Sequence, residues 1–525
     1  MKDQPALLAF LSAATIIASF FLVFNPRWAT NDDVAMSMIA HGYGLAAYGS
    51  PQLVFSNVLW GYLVRAIPAI NGVLGYSLAT VAVLLMFGWA TLYFLLQLGV
   101  RYWLCLLVVV LLIAQPVLIQ QFTVNAGLLT VAAVIGWQVF ARNGGIGSLV
   151  TACLLAFCAY LIRSNEFLLV LGVALPFLPW RALREQRPMQ IAFLLLGTAI
   201  VCASAFDLWS YSGPEWQQFF ELNSVRIPFT DYGAGEHLKQ HPEIISQYGY
   251  SQNDINLIAN YFFVDPQIAQ PKTLGSMLTQ LGPLATQGGG FQSGIVALKA
   301  IFSPVLLPLV VTALLLLVLM PKWSVALAWV LCLTAFFAMG IMGRPGIVRV
   351  YVPVVSLLLI APLMAEKYKE STRQWMGNLT LVVACVSHAY LLLPAAWATK
   401  QWAQQIQKDV HGLPTGPIVS WANSFPFEFV FPVLANDTNI RSIMFYGLDS
   451  FTHAPFSVAN IEQKNGQGMI EHLQTKTGIP IIITPKKLEM LRIYCIERLK
   501  GRLLNKITYQ FSWLSVQQVR CETGE

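Results

Sequence analysis

Charge is what this chain of 525 residues has least of. Asp, Glu, Lys and Arg make up 11% of it, against roughly 25% in soluble domains. Hydrophobic residues make up 56%, and the mean hydropathy is +0.60. That balance excludes an ordinary soluble domain and leaves an integral membrane protein. No basic patch interleaved with aromatic residues occurs, so the net charge of +7 reads as basic loops on one side of a membrane, not as a nucleic-acid surface. A Gly-rich phosphate loop, a set of metal ligands at a recognisable spacing and a repeat of fixed period are also missing. The first apolar run has no small-residue cleavage site and is too long for a signal-peptide core, so it reads as a retained anchor.

What is present is a succession of apolar runs of spanning length, roughly 17–25 residues each. They lie at 6–24, 73–97, 102–119, 124–140, 146–162, 167–180, 190–209, 295–320, 323–343, 347–365 and 377–398. The reading is therefore about eleven transmembrane helices, with 167–180 short for a full span. Lys2, Arg101, Arg142, Arg181, Arg184, Arg187, Lys322, Lys367, Lys369 and Arg373 fall on one side of that topology. Fewer basic residues (Arg27, Arg65, Arg163, Arg344 and Arg349) fall in short connections on the other. The bias places the N-terminus in the cytoplasm and the C-terminal region outside, in a multi-pass protein of the plasma membrane. Six of the eight cysteines fall in the runs, where Cys acts as a small apolar residue. Cys495 and Cys521 fall in the outer C-terminal region, and whether they pair is open from sequence.

The organisation is a transmembrane domain over 1–398, with outer loops at 25–72 and 210–294, followed by an α/β domain over 399–525. In the first loop, 57–70 reads as an interfacial helix. In the second, PEWQQFFELNSVRIPF and SQNDINLIANYFFVDP read as short helices. Ser251 and Asp254 have capping-box spacing. The run TQGGGFQSG, 286–294, reads as a hinge. In the C-terminal part GPIVSW, IRSIMFYG, GIPIIITP and ITYQFSWLSV read as strands, alternating with helical GMIEHLQTK and KKLEMLRIYCIERLK.

The residues that point to chemistry are few. In WATNDDVAMSMIAHGYG, Asp32 and Asp33 follow directly on the first apolar run and are flanked by Met36, Met38 and Ile39. One account makes them solvated carboxylates, with Asn31 or Asp32 capping a helix that begins near Val34. The other makes them acids at an apolar surface, where desolvation strengthens a carboxylate as a base. The acidic NDDVAM, the turn GYGLAAYGSP, the interfacial helices, the many spans and the outer C-terminal domain together resemble the C-type (GT-C) polytopic glycosyltransferases. The resemblance implies a membrane enzyme that moves a sugar, with inversion, from a polyprenyl-phosphate donor to a lipid-linked glycan, a cell-envelope polymer or a protein. It implies that Asp33 or Asp32 is the general base, Asp33 being favoured and Asp32 positioning or capping. No cofactor is firmly implied, and a divalent cation fits some relatives.

A leaving phosphate needs cations, and Arg matches its oxygens with a planar fork. Arg344, Arg349 and Arg163 sit at outer span ends, where snorkelling to lipid headgroups is the competing use. Glu166 reads as a partner for Arg163. His41, Tyr43 and Asn57 share the acidic loop and are candidates for sugar hydroxyls, each with a structural role as the alternative. His237, Lys239 and His241 read first as a solvated polar face. The competing function is a transporter or lipid flippase. Against it, the runs are nearly free of ionisable residues, Asp207 near a span end being the closest exception.

Overall fold

The computed structural model describes residues 4–282, 289–365, 372–414, 416–511 and 513–523. Lys2, Lys367 and Lys369, used above for orientation, and 286–288 of the expected hinge lie outside the described residues. Two bodies build the fold, an apolar helical bundle and a mixed head.

Among the described residues six helices are long and apolar enough to cross a membrane: Gln4–Val23, Gly75–Gln97, Phe122–Asn143, Arg187–Ser210, Trp323–Ile341 and Trp375–Val410. Five shorter apolar helices accompany them: Tyr102–Leu118, Ile146–Ile162, Ser164–Val173, Leu307–Leu319 and Val348–Met364. Phe122–Asn143 is the bundle's centre, buried along most of its length. Small residues let its neighbours close in. A Cβ at Gly136 would meet the Phe94 ring, and one at Gly127 would meet the Pro353 ring.

Two expected spans take a different form. The run 295–320 is not one helix but two, Phe291–Ala300 and Leu307–Leu319. Pro304 disfavours helical backbone at Ser303, and the chain turns there. The first of these helices includes Phe291 to Gly294, so the helix starts inside the expected hinge. At the other end, the expected 377–398 span is part of a helix of 39 residues, Thr372–Val410. No breaker interrupts TKQWAQQIQKDV, so the helix runs through the boundary placed at 399 until Gly412. The run 167–180 is a helix, Ser164–Val173, closed by a short 3₁₀ turn at Leu175–Phe177.

The head has a five-stranded sheet. With β1 (Arg27–Trp28) and β2 (Ile119–Gln120) pairing in the bundle, its strands are β3 (Ile418–Trp421), β4 (Phe445–Leu448), β5 (Ile479–Ile482), β6 (Gly501–Gln510) and β7 (Ser515–Thr523). Their order is β4-β3-β5-β7-β6, parallel from β4 to β5 and antiparallel beyond. The sequence ITYQFSWLSV, read as one strand, is the end of β6, a turn and the start of β7. Its continuous apolar and aromatic pattern hides the turn. Cys495 and Cys521 form a disulfide, tying the Pro485–Glu497 helix to β7.

The second loop belongs to this head. Its helices Pro214–Asp231, Ala234–Lys239, Pro242–Gln247, Gln252–Ala259 and Pro271–Leu281 share a core with the sheet, Phe262 packing on Trp421 and Tyr494. Polar contacts lock the two together, Tyr494 donating to Asp265 at 2.7 Å and Arg498 pairing with Asp254. Ser251 and Asp254 form the expected capping box. Periodicity identified two of these five helices, Pro214–Asp231 and Gln252–Ala259, but not their partner, because amphipathic spacing records that a face is buried and not against what.

Candidate functional site

The acidic helix begins three residues earlier than expected. It spans Asn31–His41 with Thr30 as N-cap, so both carboxylates fall in its first turn, where the helix dipole favours negative charge. Pairing of β1 with β2 fixes its approach, with Ala29 N–H donating to Gln120 at 2.8 Å. Successive helical side chains point about 100° apart, and that rotation gives the neighbours opposite surroundings.

Asp33 points inward and is 0% exposed. Its Oδ1 accepts from Phe122 N–H at 3.0 Å and from the Tyr76 hydroxyl at 3.4 Å, and its Oδ2 from the Thr30 hydroxyl at 3.3 Å. The Phe122 N–H is one of the orphan donors of the central bundle helix. Burial, then the charge of Asp32, pushes the Asp33 carboxyl well above the ordinary range.

Asp32 points the other way. Its side chain is 37% exposed, and its Oδ2 lies 3.5 Å from Nη1 of Arg349, itself 37% exposed. Burial raises its pKa, and the charges of Arg349 and Arg163 oppose the rise. The sequence reading favoured Asp33 as the base. Of the two, the carboxylate with access to solvent is Asp32, while Asp33 is enclosed and hydrogen-bonded by the protein itself.

The three arginines divide. Arg349 meets Asp32 directly. Arg163 donates to the Phe55 carbonyl at 2.9 Å and lies over the Phe55 and Phe122 rings, between the charges of Asp32 and Glu166. Glu166 has a buried Oε1 without a hydrogen-bond partner. Arg344 donates to the Tyr232 hydroxyl at 2.9 Å and stacks on that ring, tying the bundle to the end of the Pro214–Asp231 helix. Its charge, like that of Arg349, still acts on Arg163.

The proposed sugar ligands have partners within the protein. Asn57 is the N-cap of Val58–Ala66 and also donates to the Ala203 carbonyl at 3.1 Å. Tyr43 donates to Ser37 at 3.0 Å and packs on Phe431. His41 Nε2 accepts from Tyr76 N–H at 3.1 Å. Burial, with Arg65 and Arg441 nearby, lowers its pKa to about 4 and keeps it neutral. Lys239 pairs with Glu236 and His241 with Glu243, their own neighbours in sequence. Asp207 accepts from Val58 N–H at 2.6 Å, a structural use for the exception noted among the spans.

Two cavities open on Asp32, and the head supplies much of their walls, with Trp402 of the Thr372–Val410 helix in the larger and Ala35 and Leu45 in the smaller. The larger, about 560 Å³, is lined by Asp32, Asn31, Trp402, Glu428 and Trp513 among others. The smaller, about 130 Å³, lies between Asp32 and Asp449, with Tyr261, Ala422 and Asn423. Asn423 and Asp449 follow the carboxyl ends of the parallel strands β3 and β4, the edge at which open parallel sheets collect ligands. Of the five non-glycine residues with positive φ among the described residues, Ala422 (48°) and Tyr261 (68°) both line the small cavity. Such backbone persists only where surrounding structure holds it, often at functional sites. Asp449 accepts from Phe451 N–H at 2.7 Å, and burial raises its pKa to about 6.

Sequence reasoning missed Asp449, Glu428, Trp402 and Trp513. The one signal available was a carboxylate just after an apolar strand, in FYGLDS. Among the described residues no group of three or more His, Cys, Asp or Glu side chains converges. No protein-family model matches the chain, and no curated protein and no solved structure matches it.

Proposed function

We propose that this chain is a membrane glycosyltransferase of the C type. It would move a sugar from a polyprenyl-phosphate donor to an acceptor hydroxyl at the outer face of the plasma membrane. The observation that supports this best is Asp32, a half-exposed carboxylate lining a cavity with Arg349 against it and Arg163 behind.

In this reading Asp32 takes the proton of the acceptor hydroxyl as that oxygen attacks the anomeric carbon. The bond from that carbon to the phosphate oxygen breaks, and the phosphate leaves with the bonding pair toward Arg349 and Arg163. Attack opposite the leaving group inverts the anomeric centre. The raised pKa of Asp32 makes it a better proton acceptor than a solvated carboxylate. Asp33 supports the helix that presents it.

The reading also places the molecule in a bilayer. The six long and five shorter apolar helices would make eleven crossings, with the N-terminus cytoplasmic and the head extracytoplasmic. On the longest helix, Trp375 and Trp397 are both exposed. Their 22-residue separation rises about 33 Å, the thickness of a hydrocarbon core, with an aromatic anchor at each boundary.

The test is transfer by the purified protein from a polyprenyl-phosphate sugar, with the product's anomeric configuration read by NMR. Asp32→Asn should lower the rate by about 10²–10⁴ while the protein stays folded. Full activity in that variant would sink the assignment. Donor translocation in liposomes without any sugar transfer would favour a flippase instead.

A further inference from the structure

The larger cavity holds more than the base. Trp402 comes from the longest bundle helix and Trp513 from the turn between β6 and β7. Trp513 is fixed in place. Its indole N–H donates to Asp409 Oδ2 at 2.7 Å, and its ring stacks on Phe511. Trp402 packs edge-on against Phe429 at 4.4 Å and is 46% exposed.

Two carboxylates (Asp32, Glu428), two amides (Asn31, Asn423) and two hydroxyls (Thr30, Ser424) line the cavity. Asn31 Oδ1 and Glu428 Oε2 are buried oxygens without a hydrogen-bond partner. Asp32 adds a carboxylate. The hydroxyls nearby already donate elsewhere, Thr30 to Asp33 and Ser424 to the Trp421 carbonyl. The site therefore sets two carboxylates beside two indoles.

We propose that this cavity is the acceptor subsite and that its occupant is a glycan, an inference that rests on the transferase reading. A pyranose has an apolar C–H face that lies on an indole and a rim of hydroxyls that donate to oxygens. A short peptide of small residues has no comparable apolar face for the indoles. The volume of about 560 Å³ accommodates a short oligosaccharide end. Asp32 lines the same space, so a hydroxyl held there is delivered to the base.

Binding by the full-length protein in detergent can be read by saturation-transfer NMR, which detects weak ligands. The probes are maltotriose, chitotriose and acetyl-Ala-Ser-Ala-amide. At least one trisaccharide should give a signal and the peptide none. Glu428→Gln, which preserves shape, and Trp513→Ala should each weaken saccharide binding by about tenfold. A signal from the peptide alone, or saccharide binding unchanged in both variants, would overturn the subsite. Saccharide binding without donor-dependent transfer would leave the glycan site standing and remove the transferase. Transfer without saccharide binding in this cavity would do the reverse.

Discussion

The two sides of the acidic helix's first turn share a residue type and almost nothing else. On the mouth side Asp32 has solvent, a cavity and Arg349. On the underside Asp33 has Phe122 N–H, Tyr76 and Thr30 and no solvent. One residue of helix separates a group at the edge of a cavity from a group that holds two helices together. An acidic pair is therefore not a unit of function. The helix divides it into an accessible member and a supporting member, and the two should fail differently.

The largest effect is expected at the mouth. Arg349→Ala removes the cation beside Asp32, and transfer should fall by about 10²–10³, with the donor KM raised as well. Arg344→Ala should reduce transfer much less, because Arg344 is directed to Tyr232 rather than to Asp32. Steady-state kinetics of the two variants separate these outcomes. Equal losses would mean that the arginines act as one diffuse positive field and that the contact with Asp32 is incidental.

Much of the mouth was legible in the sequence. Asp32, Arg349 and Arg163 all stand at the ends of apolar runs, and hydropathy locates run ends well. What was not legible was the direction of each side chain. The expected helix start near Val34 left both acids in a loop, and only a start at Asn31 rotates them apart. The head was legible as an α/β alternation, yet its joining with 214–281 was not, because Tyr494 and Asp265 meet through tertiary packing across 229 residues. The far wall of the cavity was hidden for the same reason. Trp402, Glu428 and Trp513 come from a helix, a short turn and a hairpin, and no spacing in the chain links them.

The next effect belongs to the underside and concerns stability. Burial and the charge of Asp32 raise the Asp33 pKa well above the ordinary value. Asp33→Asn keeps an oxygen for Phe122 N–H and adds no charge, so it should cost under about 1 kcal/mol. Asp33→Leu leaves that N–H and the Tyr76 hydroxyl unpaired and should cost about 2–3 kcal/mol. Thermal unfolding in detergent ranks the three proteins. An Asp33→Asn variant as damaged as Asp33→Leu would show that the ionised form is the native one.

The smallest effect is a dependence on pH, carried by His41 at the other end of the same helix. Its Nε2 accepts from Tyr76 N–H, which only the neutral ring can do. Burial first, then Arg65 and Arg441, lowers its folded pKa from 6.5 to about 4. Between those values the unfolded chain binds the proton and the folded chain does not, so stability rises with pH through that window and is lost as pH falls. Acidifying from pH 7 to pH 5 should then cost about 1–2 kcal/mol after allowing for partial solvent access. Asp33 opposes this, because a carboxyl with a raised folded pKa binds protons more readily when folded and so favours the folded state at low pH, and only a comparison with a His41 variant isolates the His41 part. His41→Gln, which offers an uncharged acceptor, should flatten the His41 part of the profile between pH 5 and pH 7. If the variant keeps the wild-type slope, the acid sensitivity comes from another group, and the neutral His41 acceptor is not what ties the acidic helix to Tyr76.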